Sequence, residues 1–425
     1  MAQRQQSSSQ SSYADGTILA ALDIGTTKIC ALIAVVEQGA PTIVGIGQAD
    51  SQGLHRGVVV NIQKTVQAIQ SAMEAAQQQA GIQVDEVIAG IAGDHIETIQ
   101  TTSLISIANP DHEITEEDLH RLLSEAQRIP LSSDRRILHL IPQEYIIDGQ
   151  DGIIDPVGMS GIRMEAKIQL VTALITAVEN IHRCVRRAGF DVADLVLEPI
   201  ASAKAVLTPE EMEVGVALID IGGGTTDIAV FESQVLRYAD VIGIGGNQVT
   251  DDIRRAFGIL SQQAEQLKRE HGHTFRDILT EDETILLPGI GGRAPLELSR
   301  SLLTEIIQPR MEEIVEFVMA DLVQSSYAER LSAGIVFTGG GALIPGLEEL
   351  ATKITGMPVR IGFPQHINPS GLAQEVYAPQ YATGIGLLLY ALEHPPVTDS
   401  SSYSRISSSF PKTVLEKVRR FLQEL

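Results

Sequence analysis

A glycine-rich turn between two apolar segments occurs twice in this chain. An apolar, β-branched segment containing Asp220 leads into three consecutive glycines at 222–224, and a second apolar segment follows. The same order of apolar segment, aspartate, glycine, two threonines and apolar segment occurs 197 residues earlier, around Asp23. β-branched residues favour strands, and glycine allows positive φ and leaves no Cβ between backbone and ligand. The repeat therefore predicts two related halves, each beginning with a β-hairpin.

Each turn has the composition of a phosphate-binding site. A row of backbone N–H groups can surround phosphate oxygens, and threonine hydroxyls add donors. Asp23 and Asp220 would face the Mg²⁺ that accompanies the phosphates, through water, because Mg²⁺ keeps most of its waters and takes one or two carboxylates. One such turn could equally be a tight hairpin without a ligand, but two in repeated halves predict a phosphate bound from both sides. The residues expected at the phosphates are Gly25, Thr26, Thr27, Lys28, Gly222, Gly223, Gly224, Thr225 and Thr226.

The two hairpins and a third glycine turn at 339–341 together resemble the actin, sugar-kinase and heat-shock-chaperone ATPase superfamily. Within it, segments 139–145 and 158–163 and the C-terminal helix are similar to the FtsA family of bacterial cell-division proteins. The resemblance covers roughly residues 17–392 and the tail. It implies an α/β, actin-like two-domain fold. Each half is built on an RNase-H-like mixed sheet, ATP and Mg²⁺ occupy the cleft between the halves, and two subdomains are inserted.

The resemblance also implies further site residues. Glu198, at a strand-to-helix joint, could position a water for attack on the γ-phosphate, with Asp220 as the second catalytic candidate, or Glu198 could complement the helix dipole. Glu265 and Lys268 would lie near the ribose and Arg269 near the base, although a solvated charged face is the alternative. The remaining expected nucleotide contacts are Gly245, Gly246, Asn247, Gly339, Gly340, Gly341 and Ala342. Hydrolysis is expected to be slow, so the chain is at most a slow ATPase.

The predicted domain organisation follows from the interruptions of the repeat. Polar residues 1–16 cannot bury enough apolar surface to fold and form a disordered tail. The predicted units are domain 1A (17–84 and 168–213), inserted subdomain 1C (85–167), domain 2A (214–245 and 333–392), subdomain 2B (246–332), a serine-rich flexible linker (393–410) and an amphipathic helix (411–425). Subdomain 1C would contact neighbouring copies, although a merely structural insertion is the alternative.

Composition excludes several classes of protein. The chain has 31 Lys and Arg against 54 Asp and Glu, a net charge of −23, which argues against a sequence-independent nucleic-acid binder. Two cysteines, Cys30 and Cys184, fit a reducing compartment rather than a disulfide framework. We find no run of 18 apolar residues and no secretory signal pattern, so we expect a cytoplasmic protein.

The last fifteen residues predict a helix that lies on a membrane. Fifteen residues reach about 22 Å, short of the ~30 Å hydrocarbon layer. The apolar positions recur at helical spacing, and a basic face lies opposite. The apolar stripe is Val414, Leu415, Val418, Phe421, Leu422 and Leu425, and the basic residues include Lys417, Arg419 and Arg420. A helix folded back on its own domain is the alternative.

The resemblance implies partners and a location as well. The chain would self-associate in filaments at the cytoplasmic side of the cell membrane, at the division septum, and contact anionic lipid. It would bind the tail of the tubulin-like division protein FtsZ through subdomain 2B, on the helix carrying Arg300 and Thr304. Other division proteins would join it. A type IV pilus assembly ATPase and a small-molecule kinase of the same superfamily are the alternatives.

Overall fold

The computed structural model of the protein describes residues 14–109, 111–279, 282–287 and 295–394. The strands are β1 (Ile18–Ile24), β2 (Lys28–Glu37), β3 (Ala40–Asp50), β4 (Leu54–His55), β5 (Val58–Val59), β6 (Glu86–Ile91), β7 (Glu97–Ser106), β8 (Arg135–Ile147), β9 (Gln150–Ile153), β10 (Arg163–Leu174), β11 (Asp191–Leu197), β12 (Val216–Ile221), β13 (Thr226–Glu232), β14 (Val235–Ile242), β15 (Thr284–Leu287), β16 (Leu296–Ser299), β17 (Ile335–Thr338) and β18 (Val359–Ile361). The helices are α1 (Ile62–Ala80), α2 (Glu116–Ala126), α3 (Ile175–Ala188), α4 (Glu198–Val206), α5 (Pro209–Val214), α6 (Gly246–Phe257), α7 (Ser261–His271), α8 (Arg300–Gln324), α9 (Leu347–Thr355) and α10 (Ala382–Glu393).

Two five-stranded sheets share one topology. The first has the order β11-β6-β1-β2-β3 and the second the order β14-β13-β12-β17-β18. In each, three consecutive strands form an antiparallel meander, and two later strands extend the sheet in parallel from the first strand of that meander. The predicted duplication into two mixed-sheet halves is confirmed.

Both hairpins that open the halves have four-residue turns. Ile24 pairs with Ile29 across the first, and Ile221 pairs with Thr226 across the second, which leaves 25–28 and 222–225 as turns. The central strands β1, β2, β12 and β13 are buried almost throughout, so their apolar residues are continuous rather than alternating. The hairpins are therefore rigid supports for the turns that they carry.

Helix α1 illustrates why the first half packs closely. Asn61 caps it by accepting a hydrogen bond from the Lys64 N–H, and Gly81 ends it in a left-handed conformation. Its apolar face lies against β3 at a glycine position: a Cβ on Gly47 would stand 1.8 Å from the Ala72 carbonyl oxygen. Glycine in β3 thus allows helix and sheet backbones to touch.

The first insertion is a separate four-stranded sheet of order β7-β10-β8-β9 with α2 packed on it. Helix α2 begins with a capping box between Thr115 and Asp118. The predicted boundaries at 85 and 167 are wrong. Strand β6, expected in the insertion, pairs with β1 and β11 in the first sheet. Strand β10, expected to return to domain 1A at residue 168, pairs along its length with β7 and β8. The other boundaries stay predictions.

The second insertion joins the core of the second half. Helices α6, α7 and α8 and the β15–β16 hairpin pack on one side of the second sheet, with Leu303, Ile307 and Met311 of α8 fully buried. Helix α8 continues through Pro309. This arrangement places the start of α6 directly beside the second glycine turn.

The chain termini differ in part from the sequence prediction. Residues 14–16 form an ordered turn in which the Gly16 N–H donates to the Val36 carbonyl at 2.8 Å, so the disordered tail does not extend to residue 16. Glu393 is the last residue of α10 and not part of a linker. Residues 1–13 and the predicted linker and amphipathic helix at 395–425 lie outside the described residues. Of the helices that the structure describes, none combines the length and the hydropathy needed to cross a membrane.

Helices α4 and α10 lie in close contact at the base of the two halves, and glycine permits this. A Cβ on Gly386 would stand 1.8 Å from the Ala201 carbonyl oxygen, whereas a Cβ on Gly384 would meet the flexible Leu32 side chain at 2.9 Å.

We expect Gly386→Ala to lower the free energy of unfolding by about 1–3 kcal/mol, because the backbone of α4 cannot move aside for an added methyl group. Gly384→Ala is the matched control with a smaller loss. Urea unfolding of both variants checks this, and equal losses would contradict it.

Candidate functional site

The two glycine turns face each other across the cleft between the halves. A Cβ on Gly223 would stand 1.6 Å from the Thr27 hydroxyl oxygen, and a Cβ on Gly224 would stand 2.7 Å from the Thr26 methyl carbon. Any side chain at 223 or 224 would therefore push the turns apart. The expectation that turns from both halves come together at one place is met by this geometry.

The start of helix α6 supports the second turn from behind. The N–H groups of Gly246 and Asn247 donate to the carbonyls of Gly222 and Gly223 at 2.9 and 2.8 Å. A Cβ on Gly245 would stand 2.7 Å from the Gly222 carbonyl oxygen. The backbone N–H groups expected to bind the nucleotide at 246 and 247 are thus used within the protein, and they fix the shape of the turn.

Four carboxylates lie behind the turns, in what we call the acid cluster: Asp23, Glu198, Asp220 and Asp227. Two glycines make room for them. A Cβ on Gly90 would stand 2.9 Å from the Glu198 side chain, and a Cβ on Gly339, whose φ is 84°, would stand 2.2 Å from the Asp220 Oδ1. Asp23, Asp220 and Asp227 are buried, and Glu198 keeps partial access to the cleft.

Burial is the main reason why the acid cluster is hard to ionise. It raises the pKa of Asp23 to about 6, with a further increase from Asp220 and an opposing effect of Lys28. Burial, followed by the charges of the other cluster members, raises the pKa values of Glu198 and Asp227 well above their ordinary values. Burial also raises the pKa of Asp220, opposed by hydrogen bonds from Ser202 and Thr383. A cation in the cleft would relieve this mutual repulsion.

Asp227 is the acid that sequence reasoning missed. It lies directly opposite Asp220 across the second hairpin, whereas the equivalent position in the first hairpin is Cys30, opposite Asp23. Its side chain is 5% exposed, and the Oδ1 atom has no hydrogen-bond partner. Pairing the two strands in register from the four-residue turn would have found it, since opposite residues point to the same face.

Two hydroxyls were also missed. Ser202 of α4 donates to Asp220 Oδ2 at 2.8 Å, and Thr383 of α10 lies 3.3 Å from the same oxygen. The two hydroxyls are 3.0 Å apart. Helices α4 and α10 therefore hold Asp220 through one oxygen, Oδ2, while Oδ1 is directed towards Gly339.

Two of the predicted phosphate ligands already make hydrogen bonds within the protein. Thr226 is fully buried as the first residue of β13, and its hydroxyl donates to the Ile244 carbonyl at 2.8 Å, so the prediction for Thr226 is wrong. Lys28 donates to the Gln380 carbonyl at 2.9 Å, and its ammonium lies 4.7 Å from the centre of the Tyr381 ring. Lys28 still acts on the site, because its charge lowers the pKa values of Asp23 and Asp220.

The predicted nucleoside-side residues of α7 surround the first turn of α6. The Lys268 ammonium donates to the Gly246 carbonyl at 3.0 Å and to the Thr250 hydroxyl at 2.9 Å, and pairs with Glu265 at 2.6 Å. Burial lowers the pKa of Lys268, opposed by Glu265. Arg269 is exposed. Glu265, which is half-buried, and Lys268, which is buried, therefore form an ion pair against α6.

The third glycine turn begins where β17 ends. Gly339 and Gly341 pack against the second hairpin, while Gly340 is exposed and a Cβ there would meet no atom within 4 Å. Ala342 is buried. The backbone at 340 is thus open to solvent, and nucleotide contact at this turn stays a prediction.

The acid cluster suits a hydrated cation better than a directly bound one. In the described ranges, no three His, Cys, Asp or Glu side chains converge closely enough to hold a metal by themselves. The unpartnered Asp227 oxygen and the raised pKa values of the cluster fit Mg²⁺ with its own water shell, which takes few protein ligands.

Comparison with known proteins identifies the family. A family model described as "Cell division protein FtsA" matches residues 217–386, and one described as "SHS2 domain inserted in FTSA" matches residues 93–172. The chain is 44% identical over 416 residues to the cell division protein FtsA of Pseudomonas aeruginosa, covering 97% of this chain and 99% of the relative. The chain belongs to the FtsA family.

Solved structures agree on the fold of this FtsA-family chain. The PilM-PilN type IV pilus biogenesis complex contains a chain that superposes with a TM-score of 0.62 at 18% identity, covering 88% of this chain and 99% of that one. MreB5 of Spiroplasma citri bound to ADP superposes with a TM-score of 0.54 at 16% identity, covering 88% and 95%. The actin-like fold is confirmed, and FtsA-family membership decides against the pilus-assembly and small-molecule-kinase alternatives.

The family comparison also bears on the first insertion. The matched inserted domain at 93–172 begins after β6 and ends within β10, as the sheet pairing requires. The predicted boundaries of 85 and 167 were drawn from the repeat alone, which does not show which sheet a strand joins.

The acid cluster generates a prediction about pH. Carboxyl pKa values lie near 4 in an unfolded chain and are raised here, so between about pH 4 and 6 the folded state holds more protons than the unfolded state. The cluster's contribution to the free energy of unfolding therefore falls as the pH rises through that window. We expect Asp227→Asn to raise the melting temperature at about pH 7.5 and to flatten its dependence on pH.

The control for this prediction is Asp151→Asn, which removes an exposed carboxylate of β9. Differential scanning calorimetry of the ligand-free protein over the same pH range makes the measurement. If the melting temperatures of Asp227→Asn and Asp151→Asn depend on pH in the same way, the cluster does not lower the stability of the folded state.

Proposed function

We propose that the chain is an ATP-binding, membrane-attached cell-division protein that tethers FtsZ. The observation that carries the nucleotide part is the approach of two glycine turns over the acid cluster. Gly25, Thr26 and Thr27 of one half and Gly223, Gly224 and Thr225 of the other would hold the phosphates of ATP. Asp23 and Asp220 would hold Mg²⁺ through water, and the Mg²⁺ would neutralise phosphate charge.

The nucleoside would lie towards α7 and the third glycine turn. Glu265 and Lys268 flank the start of α6, exposed Arg269 lies one position further along, and Gly340 offers open backbone. A ribose hydroxyl would be recognised by the Glu265–Lys268 pair and the base by the backbone at 339–342. This assignment uses polar groups that the fold already holds in place.

Glu198 has the position of a group that could orient water, but its state argues for slow turnover. Burial and three neighbouring carboxylates raise its pKa well above the ordinary value, which favours the protonated form. A protonated carboxyl is a poor proton acceptor. We therefore propose that ATP occupancy, rather than rapid hydrolysis, is the working signal of this protein.

The nucleotide proposal predicts the behaviour of Asp220→Asn. The substitution keeps the size of the side chain and removes its charge, so Mg²⁺-dependent ATP affinity should fall more than about tenfold, as expected for a lost charged interaction. Asp321→Asn is the matched control, because Asp321 is a partly buried aspartate outside the cleft that accepts a hydrogen bond from Tyr238 at 2.8 Å. Isothermal titration with and without Mg²⁺ makes the measurement. Normal ATP binding by Asp220→Asn would remove the site assignment.

Self-association is proposed to involve the inserted subdomain. Leu104 lies on the edge strand β7, and Ile154 and Ile162 lie between β9 and β10, and all three side chains are exposed. An edge strand with exposed apolar residues is a common contact surface between proteins.

Sedimentation velocity with Mg-ATP tests whether self-association depends on ATP, because Asp220→Asn should prevent the ATP-dependent increase in size.

The FtsZ tail is proposed to dock on subdomain 2B beside the start of α8. Arg300 is half-buried there, its Nε donating to the His271 carbonyl at 3.1 Å, and Leu302 is 45% exposed. Leu286 of the β15–β16 hairpin, on the same face as Glu297, is exposed as well. A guanidinium next to apolar side chains suits a peptide that carries both acidic and apolar residues.

Thr304 does not belong to that surface. It is fully buried, and its hydroxyl donates to the Arg300 carbonyl one turn earlier at 2.9 Å. The proposed surface on this helix therefore does not include the Thr304 hydroxyl, which satisfies the helix backbone instead.

Attachment to the membrane is proposed to use residues 411–425. Six apolar side chains at roughly 1.5 kcal/mol each give about 9 kcal/mol gross, and ordering a free tail offsets much of that. One copy should thus bind weakly and reversibly. Many copies linked in a filament would raise the effective concentration, so ATP-driven self-association and attachment would reinforce each other.

One recruitment experiment tests both ends of the tether. A labelled FtsZ tail peptide is sedimented with anionic vesicles in the presence of the full-length chain. Phe421→Glu should release both chain and peptide from the pellet, because a charge enters the apolar stripe. Arg300→Glu should leave the chain in the pellet and release the peptide. The tether is contradicted if Phe421→Glu still pellets like the unmodified chain, and the docking surface if Arg300→Glu still carries the peptide.

A further inference from the structure

A basic cleft lies on the first half, away from the acid cluster. It has a volume of about 630 Å³ and is lined by Arg136 of β8 and by one face of α3. The lining residues of α3 recur at helical spacing and therefore form one stripe. They are Glu179, His182, Arg183, Arg186 and Arg187. We call this set, together with Arg136, the basic cleft.

The arginines of the basic cleft are exposed and unpaired. Arg136, Arg183, Arg186 and Arg187 are exposed, and over the described ranges none has a carboxylate within the 4.0 Å salt-bridge distance. Burial, Arg136 and Arg186 lower the pKa of His182, which places these cations close to one another. Four unpaired guanidinium groups are notable on a chain of net charge −23.

The opposite face of α3 fixes the orientation of the stripe. Val178, Ile181 and Val185 are buried in the core of the first half. Gly189 ends the helix in a left-handed conformation with φ of 103°. The stripe consequently cannot turn inward, and its charges point away from the first sheet.

The chain leaves its last described helix near this cleft. His394, just beyond α10, stacks on Tyr390 at 4.2 Å, and Tyr390 contacts the His139 ring of β8 at 6.1 Å between ring centroids. A bulge at Leu138 makes His139 pair with Val171 and Arg136 pair with Ala173. Positions 171 and 173 share one face of β10, so Arg136 and His139 lie on the same face, about 7 Å apart along the strand.

We propose that the basic cleft binds the phosphates of anionic phospholipid headgroups and holds this face of the protein on the membrane. The inference rests on the proposed attachment through residues 411–425 and adds a second contact to it. The 31 residues beyond His394 follow Tyr390, which contacts His139 on the face of β8 that also carries Arg136, and they include the predicted amphipathic helix. The cleft would therefore face the surface on which that helix lies.

Charge favours lipid over a protein partner. The chain has 54 acidic residues, so an anionic membrane repels most of the protein surface. A local cluster of arginines therefore decides which face of the protein approaches the membrane. Guanidinium groups bind phosphate oxygens in a planar, two-point manner. A single contact through residues 411–425 would leave the orientation of the protein on the membrane unspecified, whereas that contact and the cleft together would fix it.

Binding of the full-length chain to vesicles tests the proposal. Vesicles of phosphatidylcholine alone are compared with vesicles of equimolar phosphatidylcholine and phosphatidylglycerol. Arg183→Gln with Arg186→Gln should lower the affinity for the mixed vesicles by about tenfold or more, and leave the affinity for neutral vesicles unchanged. High salt should abolish the difference. Arg183→Lys with Arg186→Lys keeps the charge and should retain most of the binding.

The matched control removes the same charge elsewhere. Arg128→Gln with Arg255→Gln alters two exposed arginines of other regions and should bind mixed vesicles like the unmodified chain. Equal affinity of the Arg183/Arg186 and Arg128/Arg255 variants for mixed vesicles would overturn the proposal. An equal loss of affinity for neutral vesicles would also overturn the proposal. So would a loss of self-association in the absence of vesicles, because the cleft would then be a contact between copies of the chain.

The same measurement separates this inference from the proposed function. Phe421→Glu should weaken binding to both kinds of vesicle, because it acts on apolar insertion. If the unmodified chain binds neither kind, membrane attachment and the cleft proposal both fail. If it binds and responds to Phe421→Glu but not to Arg183→Gln with Arg186→Gln, the cleft proposal alone fails.

Discussion

Electrostatic repulsion among four buried carboxylates is the constraint on which the rest of this structure depends. Asp23, Glu198, Asp220 and Asp227 occupy a space that glycines at 90 and 339 keep open. Such a cluster is unfavourable unless protons or a cation reduce its charge. The two halves meet at this point through turns in which Gly223 and Gly224 leave room for the threonines of the first turn. A cation held here would therefore act on the contact between the halves as well as on a bound nucleotide.

The two halves share a topology but not a chemistry. Both begin with a hairpin whose turn has four residues, yet position 30 is a cysteine where position 227 is an aspartate. The first turn carries threonines and Lys28, and the second carries glycines. Side chains of the first turn consequently fit the space that the second leaves open. Divergence of the repeat is what allows the two turns to interlock.

Much of the fold could be predicted from the sequence because the repeat is strong. Hairpins, helix caps such as Asn61 and Thr115, and helix ends such as Gly81 and Gly189 depend on residues close in the chain. The limits of the first insertion could not be predicted in this way. Strands β6 and β10 have ordinary strand patterns, and only their long-range pairing shows which sheet they join.

The site was predictable in its turns and less so in its side chains. Thr226 looked like a ligand by composition, but the register of the four-residue turn directs it into the core, and the same register brings Asp227 to Asp220. Ser202 and Thr383 reach Asp220 from helices 181 residues apart. Contacts over such separations are set by packing, which no local pattern records.

Helix α10 connects two places that have been described separately. Thr383, in its first turn, lies 3.3 Å from Asp220, and its last residue, Glu393, pairs with Lys204 of α4 just before the chain exits at His394. Ten residues of helix measure about 15 Å and do not bend easily. The close fit of Gly386 on Ala201 prevents α10 from sliding along α4. The helix thus joins the surroundings of Asp220 and the point at which the chain leaves at His394 as one rigid element.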